Sequence, residues 1–175
     1  MATTTLKAAQ DPLKQQYRDD AASAVVTMHA EGSLDGDGVS CSVQTGRALV
    51  EAGLHEASGG DGSFACSGDM LLQALVACAG VTLRAVAISM GVTVRSGAVK
   101  AEGDLDFRGT LGVDKTAPVG FQDIRMRFEL ETDADPNTVA TLVKLTERYC
   151  VVLQTIRVAP PVQVSVQAGP APVSA

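Results

Sequence analysis

Met70-Leu71-Leu72-Gln73-Ala74-Leu75-Val76-Ala77-Cys78-Ala79-Gly80-Val81-Thr82-Leu83-Arg84-Ala85-Val86-Ala87-Ile88-Ser89-Met90, closed by Gly91, is the stretch on which the fold turns. It holds no proline and few β-branched clusters, so helix is compatible with every position until Gly91 stops it. Ser67 is placed to cap its start, and Asp69 suits the positive end of the helix dipole. After Asp69 the only long polar side chains are Gln73 and Arg84. They are eleven residues apart, roughly three turns, and share one narrow stripe. A helix apolar around almost its whole circumference is buried on most sides, in a core or a subunit interface. One small sheet does not cover that much surface, which predicts a homodimer.

Working outward, residues 1–20 are polar and include Pro12, Lys14 and Asp19. They read as an arm or short helix that needs a surface to become ordered. Residues 24–31 and 39–43 have strand-like content on either side of a Gly/Asp-rich turn from Gly32 to Gly38, a hairpin pattern. Residues 47–54 continue as strand, and residues 58–68, with four glycines, form a loop. Beyond the helix, strands are expected at residues 92–94, 98–107 and 121–131. In the third, Ile124, Met126, Phe128 and Leu130 alternate with Arg125, Arg127, Glu129 and Glu131, the period of a sheet with one wet face. Asp135-Pro136 then opens a second helix. Its buried stripe is Val139, Leu142, Val143, Thr146, Cys150 and Leu153. Val162, Val164 and Val166 alternate with polar residues as a last strand, before an Ala/Pro tail over residues 168–175. The reading is one α+β domain over residues 1–175, with no repeat and no dividing linker.

Composition excludes several functions. A net charge of −6, no Trp and 3% aromatics leave neither a phosphate-binding face nor a stacking platform, so nucleic acid is not an expected partner. The most apolar charge-free run, residues 70–81, is too short to span a bilayer, so no membrane span is expected. The first residues carry no apolar export signal, and a cytoplasmic location is the expectation. There the four cysteines are reduced thiols, and any disulfide is transient. No GxGxxG, P-loop, HExxH, CxxC or GxSxG occurs, and two histidines are too few for a convincing zinc site. No cofactor and no metal are expected.

What remains is sulfur. Cys78 lies midway along the apolar helix, and Cys150 follows Glu147-Arg148-Tyr149 on the stripe of the second. On spacing alone both read as packing, since a free cysteine behaves as a small hydrophobe. Two helices in one small core nonetheless bring the thiols within reach of each other. Cys41 sits in a strand pattern. Cys66, just before the helix, is nearer its positive end and is an alternative partner for either sulfur.

Two segments carry a resemblance. Gly59-Gly60-Asp61-Gly62 followed by Ser67-Gly68-Asp69-Met70-Leu71-Leu72-Gln73-Ala74-Leu75-Val76-Ala77-Cys78 is similar to the central signature of the OsmC/Ohr family, a GG loop before a P-x-E-L-L-x-x-A-L-A-x-C helix. Glu147-Arg148-Tyr149-Cys150-Val151-Val152-Leu153 resembles that family's second cysteine segment, usually written C-P-V. Prolines of the family pattern are replaced by Ser67 and Val151. The resemblance implies antiparallel sheets wrapped around a long buried central helix, with a second Cys-bearing helix, in an intertwined homodimer. It implies a thiol peroxidase for organic hydroperoxides in stress defence. Cys78 would be the peroxidatic thiolate and Cys150 the resolving thiol, and a dithiol reductant of lipoyl type would reopen the disulfide.

The physical demand on such a site is sharp. Burial raises a thiol's pKa, and Cys78 lies about 14 Å along the axis from Asp69, too far for the helix start to help. A cation is therefore expected near Cys78. The family supplies an Arg held by the acidic residue at the Asp69 position. Here His55 stands where that Arg is sought, with Arg47 as second candidate. Two alternatives remain: a non-catalytic stress or apolar-ligand-binding protein on the same fold, and a relative in which a single cysteine reacts.

Overall fold

A computed structural model describes residues 3–33, 42–43, 52–62 and 65–166. In chain order the elements are α1 (Thr3–Asp19), a 3-10 turn (Ala21–Ala24), β1 (Val25–Ser33), β2 (Ser42–Val43), β3 (Ala52–Gly53) and a second 3-10 turn (Glu56–Ser58). There follow β4 (Ala65–Cys66), α2 (Ser67–Met90), β5 (Val94–Asp106), α3 (Phe107–Thr110), β6 (Phe121–Thr132), α4 (Pro136–Tyr149) and α5 (Val151–Arg157). Four strands form an antiparallel sheet in the order β2-β1-β5-β6, and β3 pairs in parallel with β4.

The long apolar helix forms as its sequence requires. It starts at Ser67 and ends on Gly91 in the left-handed conformation at φ 67°. The residue at its cap position is Cys66, without a side-chain capping bond, so Ser67 is the first helical residue and not the cap. Leu72, Leu75, Val76, Ala79, Gly80, Leu83 and Ala87 are buried. This face packs on β1 and β5 and against α4 and α5. By length and composition alone the 24-residue helix reaches what a membrane span requires, because Asp69 and Arg84 are its only charges; the residues 70–81 run understated its length.

The N-terminal segment is helical, and its end docks on the chain itself. Tyr17 is buried and its hydroxyl donates to the Ala57 carbonyl at 2.6 Å. The hairpin expectation holds where β1 meets β2, at Gly32 opposite Val43 and Ser33 opposite Ser42. Of the strand expected over residues 47–54, Ala52–Gly53 is described as strand.

Two corrections concern strands. The pieces expected at 92–94 and 98–107 are one strand, β5, which passes Gly97 and carries a register shift between Val94 and Ser96. A bulge lets a strand absorb an irregular residue without ending its ladder. Phe107 belongs instead to α3, which Asp106 caps by accepting from the Arg108 amide. The strand expected at Val162, Val164 and Val166 does not form. These valines are more than 80% exposed, and residues 159–166 adopt no regular structure. Period-two alternation shapes a face, but a strand also needs an edge to pair with, and among the described residues none pairs with this segment.

β6 is as its alternation dictates: Ile124, Met126, Phe128 and Leu130 turn inward, and Arg125, Arg127, Glu129 and Glu131 are exposed. The wet face carries cross-strand ion pairs, Lys100–Glu129 at 3.2 Å and Arg125–Asp104 at 2.6 Å. Asp135 caps α4 by accepting from the Asn137 and Thr138 amides.

Candidate active site

α4 does not continue through Cys150. The chain leaves helical geometry there, at φ −70° and ψ 105°, and α5 restarts at Val151. Two adjacent β-branched residues, Val151 and Val152, weaken helix propensity at this point. The fold-back is held locally. Gln154 Nε2 donates to the Glu147 carbonyl at 2.7 Å, and Arg157 pairs with the Glu147 carboxylate at 2.9 Å. Cys150 thus occupies the joint between two helices, a correction to its placement within one. Its N–H donates to the Thr146 carbonyl, and its own carbonyl accepts from Gln154, each at 2.9 Å.

That joint faces α2. The backbone N–H groups of Val152 and Val151, the Cys150 thiol and the Thr82 hydroxyl are the neighbouring groups that lower the Cys78 thiol. The amides at the start of a helix have no acceptor within it, which leaves those of Val151 and Val152 free to serve a neighbour. Thr82 is one turn beyond Cys78 on the same face of α2. Burial pushes the Cys78 thiol up, but the donors around it outweigh burial and hold it below the ordinary thiol value. Cys150 is the converse: fully buried, and with the Cys78 sulfur beside it, its thiol is pushed up to about 11. The pair is therefore a half-buried sulfur whose thiol is lowered beside a buried one whose thiol is raised.

The other candidates are elsewhere. His55 Nδ1 accepts from the Ala57 amide at 3.0 Å, and its ring stacks on Phe107 with centroids 5.1 Å apart. The Nδ1 of His55 is thereby committed to its own turn. Asp69 lies in the first turn of α2, nine residues before Cys78. Neither residue is among the groups acting on the Cys78 sulfur. Cys66 precedes α2, twelve residues from Cys78 and about 18 Å along the axis, which removes it as a partner for that sulfur. Arg47 and Cys41 lie outside the described residues. Among the described residues, no cation acts on Cys78. Sequence reasoning missed Thr82, which its i+4 spacing could have revealed, and the two amides, which no side-chain pattern reveals.

A cavity of about 410 Å³ lies between β6 and the α4–α5 pair. Its apolar wall includes Leu75, Phe121, Ile124, Met126, Phe128 and Leu153. Of its lining residues, Leu75 is one turn before Cys78 and Leu153 is in the first turn of α5, but neither cysteine lines it.

Residues 60–165 match the sequence profile of a family described as OsmC-like protein. No curated protein sequence matches significantly. Among solved structures, the fold is similar to the crystal structure of an OsmC-like hydroperoxide resistance protein from Jannaschia sp. CCS1, with a TM-score of 0.60 at 16% identity. The match covers 83% of this chain and 95% of that one.

Proposed function

Since the chain belongs to the OsmC-like protein family, we propose that it is a thiol peroxidase that reduces organic hydroperoxides in stress defence, with Cys78 attacking and Cys150 resolving. The observation that carries this reading is the meeting of two sulfurs of opposite acidity, one held below and one pushed above the ordinary thiol value. The Cys78 thiolate attacks the distal oxygen of the hydroperoxide. The O–O bond breaks, the alkoxide takes a proton and leaves as an alcohol, and Cys78 becomes a sulfenic acid. Sulfur loses two electrons and the peroxide gains them. Cys150 then attacks the sulfenic sulfur, its proton leaves with the hydroxyl as water, and a Cys78–Cys150 disulfide forms. A dithiol reductant, of the lipoyl type by family likeness, restores both thiols by exchange. The cavity between β6 and the α4–α5 pair, with apolar residues along one wall, is compatible with a substrate that has a hydrocarbon body. A reducing compartment such as the cytoplasm suits a cycle that must be reset by dithiols.

The same reading includes a homodimer. Leu71, Ala74, Val81, Ala85 and Ile88 are exposed, and with half-buried Cys78 they recur along α2 at alternating steps of three and four. That is the spacing of a helix-pairing seam. Ile88 is 63% exposed, which is costly for isoleucine unless another surface covers it. A second copy on this seam would place Cys78 at the subunit boundary.

Reduced protein mixed with one equivalent of cumene hydroperoxide should lose two thiols and gain a Cys78–Cys150 disulfide. Cys150→Ser should stop at a sulfenic acid trapped by dimedone. Survival of both thiols in excess peroxide sinks the reading. Together with a co-purified apolar molecule in the native mass spectrum, that survival would favour the second reading, a non-catalytic binding protein, to which the same cavity lends itself.

A further inference from the structure

The four-stranded sheet ends in an open edge. β6 pairs with β5 on one side, and among the described residues no strand and no main-chain hydrogen bond engages its other side. The strand is 12 residues long and holds no proline. An exposed edge of that length is a template for another strand unless something covers it. The inward face of β6 is short of cover as well. Val99 and Ala101 of neighbouring β5 are at most 1% exposed, whereas Ile124, Met126 and Phe128 stay half-buried along the cavity shared with α4 and α5.

The chain also carries a strand pattern without a sheet. Val162, Val164 and Val166 alternate with Gln163 and Ser165, and residues 157–166 are exposed throughout. We propose that residues 161–166 of one copy add as a strand to the outer edge of β6 in a second copy, laying their valines beside Ile124, Met126 and Phe128 and closing that side of the cavity. Strand addition needs free main-chain groups on both partners and apolar seats for alternate side chains, and β6 and the valine segment meet both needs. Pro161 falls at the first residue of the added strand, where a missing N–H is tolerated. Gln163 and Ser165 are uncharged, so on the wet face they meet Arg125, Arg127 and Glu129 without repulsion.

The prolines favour a second copy over the chain's own edge. The last turn of α5 already lines the cavity through Ile156 and Arg157. To reach the edge of its own β6 the chain would have to turn sharply within the few residues after Arg157. Pro160 and Pro161 fix their own φ near −65° and push Ala159 and Pro160 to extended backbone, so the arm runs straight out instead. Reciprocal exchange about a two-fold axis then satisfies both arms and both edges. The proposal rests on the homodimer reading, but on neither the α2 seam nor the sulfur chemistry.

The test refolds two full-length chains together, one with Gln163 replaced by photoreactive benzoylphenylalanine and one isotopically heavy without it. Irradiation should join the light peptide carrying position 163 to a heavy peptide from β6, residues 121–132. In the unsubstituted protein, β6 peptides should resist hydrogen exchange. Val164→Pro should speed that exchange about five- to tenfold by deleting a ladder donor, and Val164→Ile should leave it slow. Crosslinks confined to the light chain would overturn the second copy as occupant. A dimer by light scattering whose crosslinks miss β6 would overturn the exchange and leave the homodimer reading standing, whereas a monomer would overturn both. Unaltered β6 exchange in Val164→Pro would also overturn the added strand, and the crosslink decides the matter even if that variant fails to fold.

Discussion

At pH 8 the two paired cysteines should differ in alkylation rate by a wide margin, and deleting one should change the other. Cys150, at about 11, is three units above that pH, so about one molecule in a thousand carries its thiolate. Cys78 is held below the ordinary thiol value by the donors around it, so a larger share of it is ionised. Cys78 should therefore be alkylated much faster than Cys150, and the full burial of Cys150 adds to the difference. Iodoacetamide at limiting concentration, followed by digestion and mass mapping, measures both rates in one sample. Cys78→Ser is the informative perturbation. Burial is the larger cause of the high Cys150 value, with the Cys78 sulfur adding to it. Removing Cys78 should therefore bring Cys150 down from about 11 while leaving it above 9. Comparable alkylation of the two sulfurs at pH 8, or a Cys150 profile indifferent to Cys78→Ser, would refute the claim that they share one electrostatic site. Stability carries the same sign. A thiol raised in the folded state contributes stability that is complete below its unfolded value near 9 and is lost as pH rises through about 11.

Three further outcomes follow from the fold. In urea titrations between pH 9 and 11, Cys150→Ala should lose less stability with rising pH than the unsubstituted protein, because the buried thiol that must ionise is gone. Gly60→Ala should destabilise by about 2 kcal/mol or more, since its Cβ would stand 1.9 Å from the Leu54 carbonyl oxygen; an unchanged thermal midpoint would contradict that contact. Val81→Glu, on the exposed seam of α2, should shift light scattering from twice the chain mass of 18.0 kDa to the monomer; a monomer before substitution would remove the seam's role.

Much of the architecture was legible because local rules and tertiary packing agree. The α2 stretch reads as helix from its composition and ends at Gly91 because only glycine adopts that left-handed corner cheaply. Asp135-Pro136 starts α4 by cap chemistry, and β6 alternates because one face meets a core and the other water. The family likeness depended on residues around Cys78 and Cys150, and the matched profile spans both. His55 was sought as a cation because charge is the side-chain property a sequence displays; in the fold its Nδ1 is spent on Ala57. The valines at 162, 164 and 166 looked like a strand because alternation is a local pattern, whereas a ladder needs a partner the pattern does not contain.

By itself, then, the chain of residues determined where helices begin and end, which faces are apolar, and that two cysteines lie on elements destined for one core. Only the tertiary structure decided that the second helix breaks at Cys150, and that the Val151 and Val152 backbone after the break is among the groups that lower the Cys78 thiol. The reason is that side-chain identity is written in sequence, while the direction of a backbone N–H is set by dihedral angles that packing between distant elements selects.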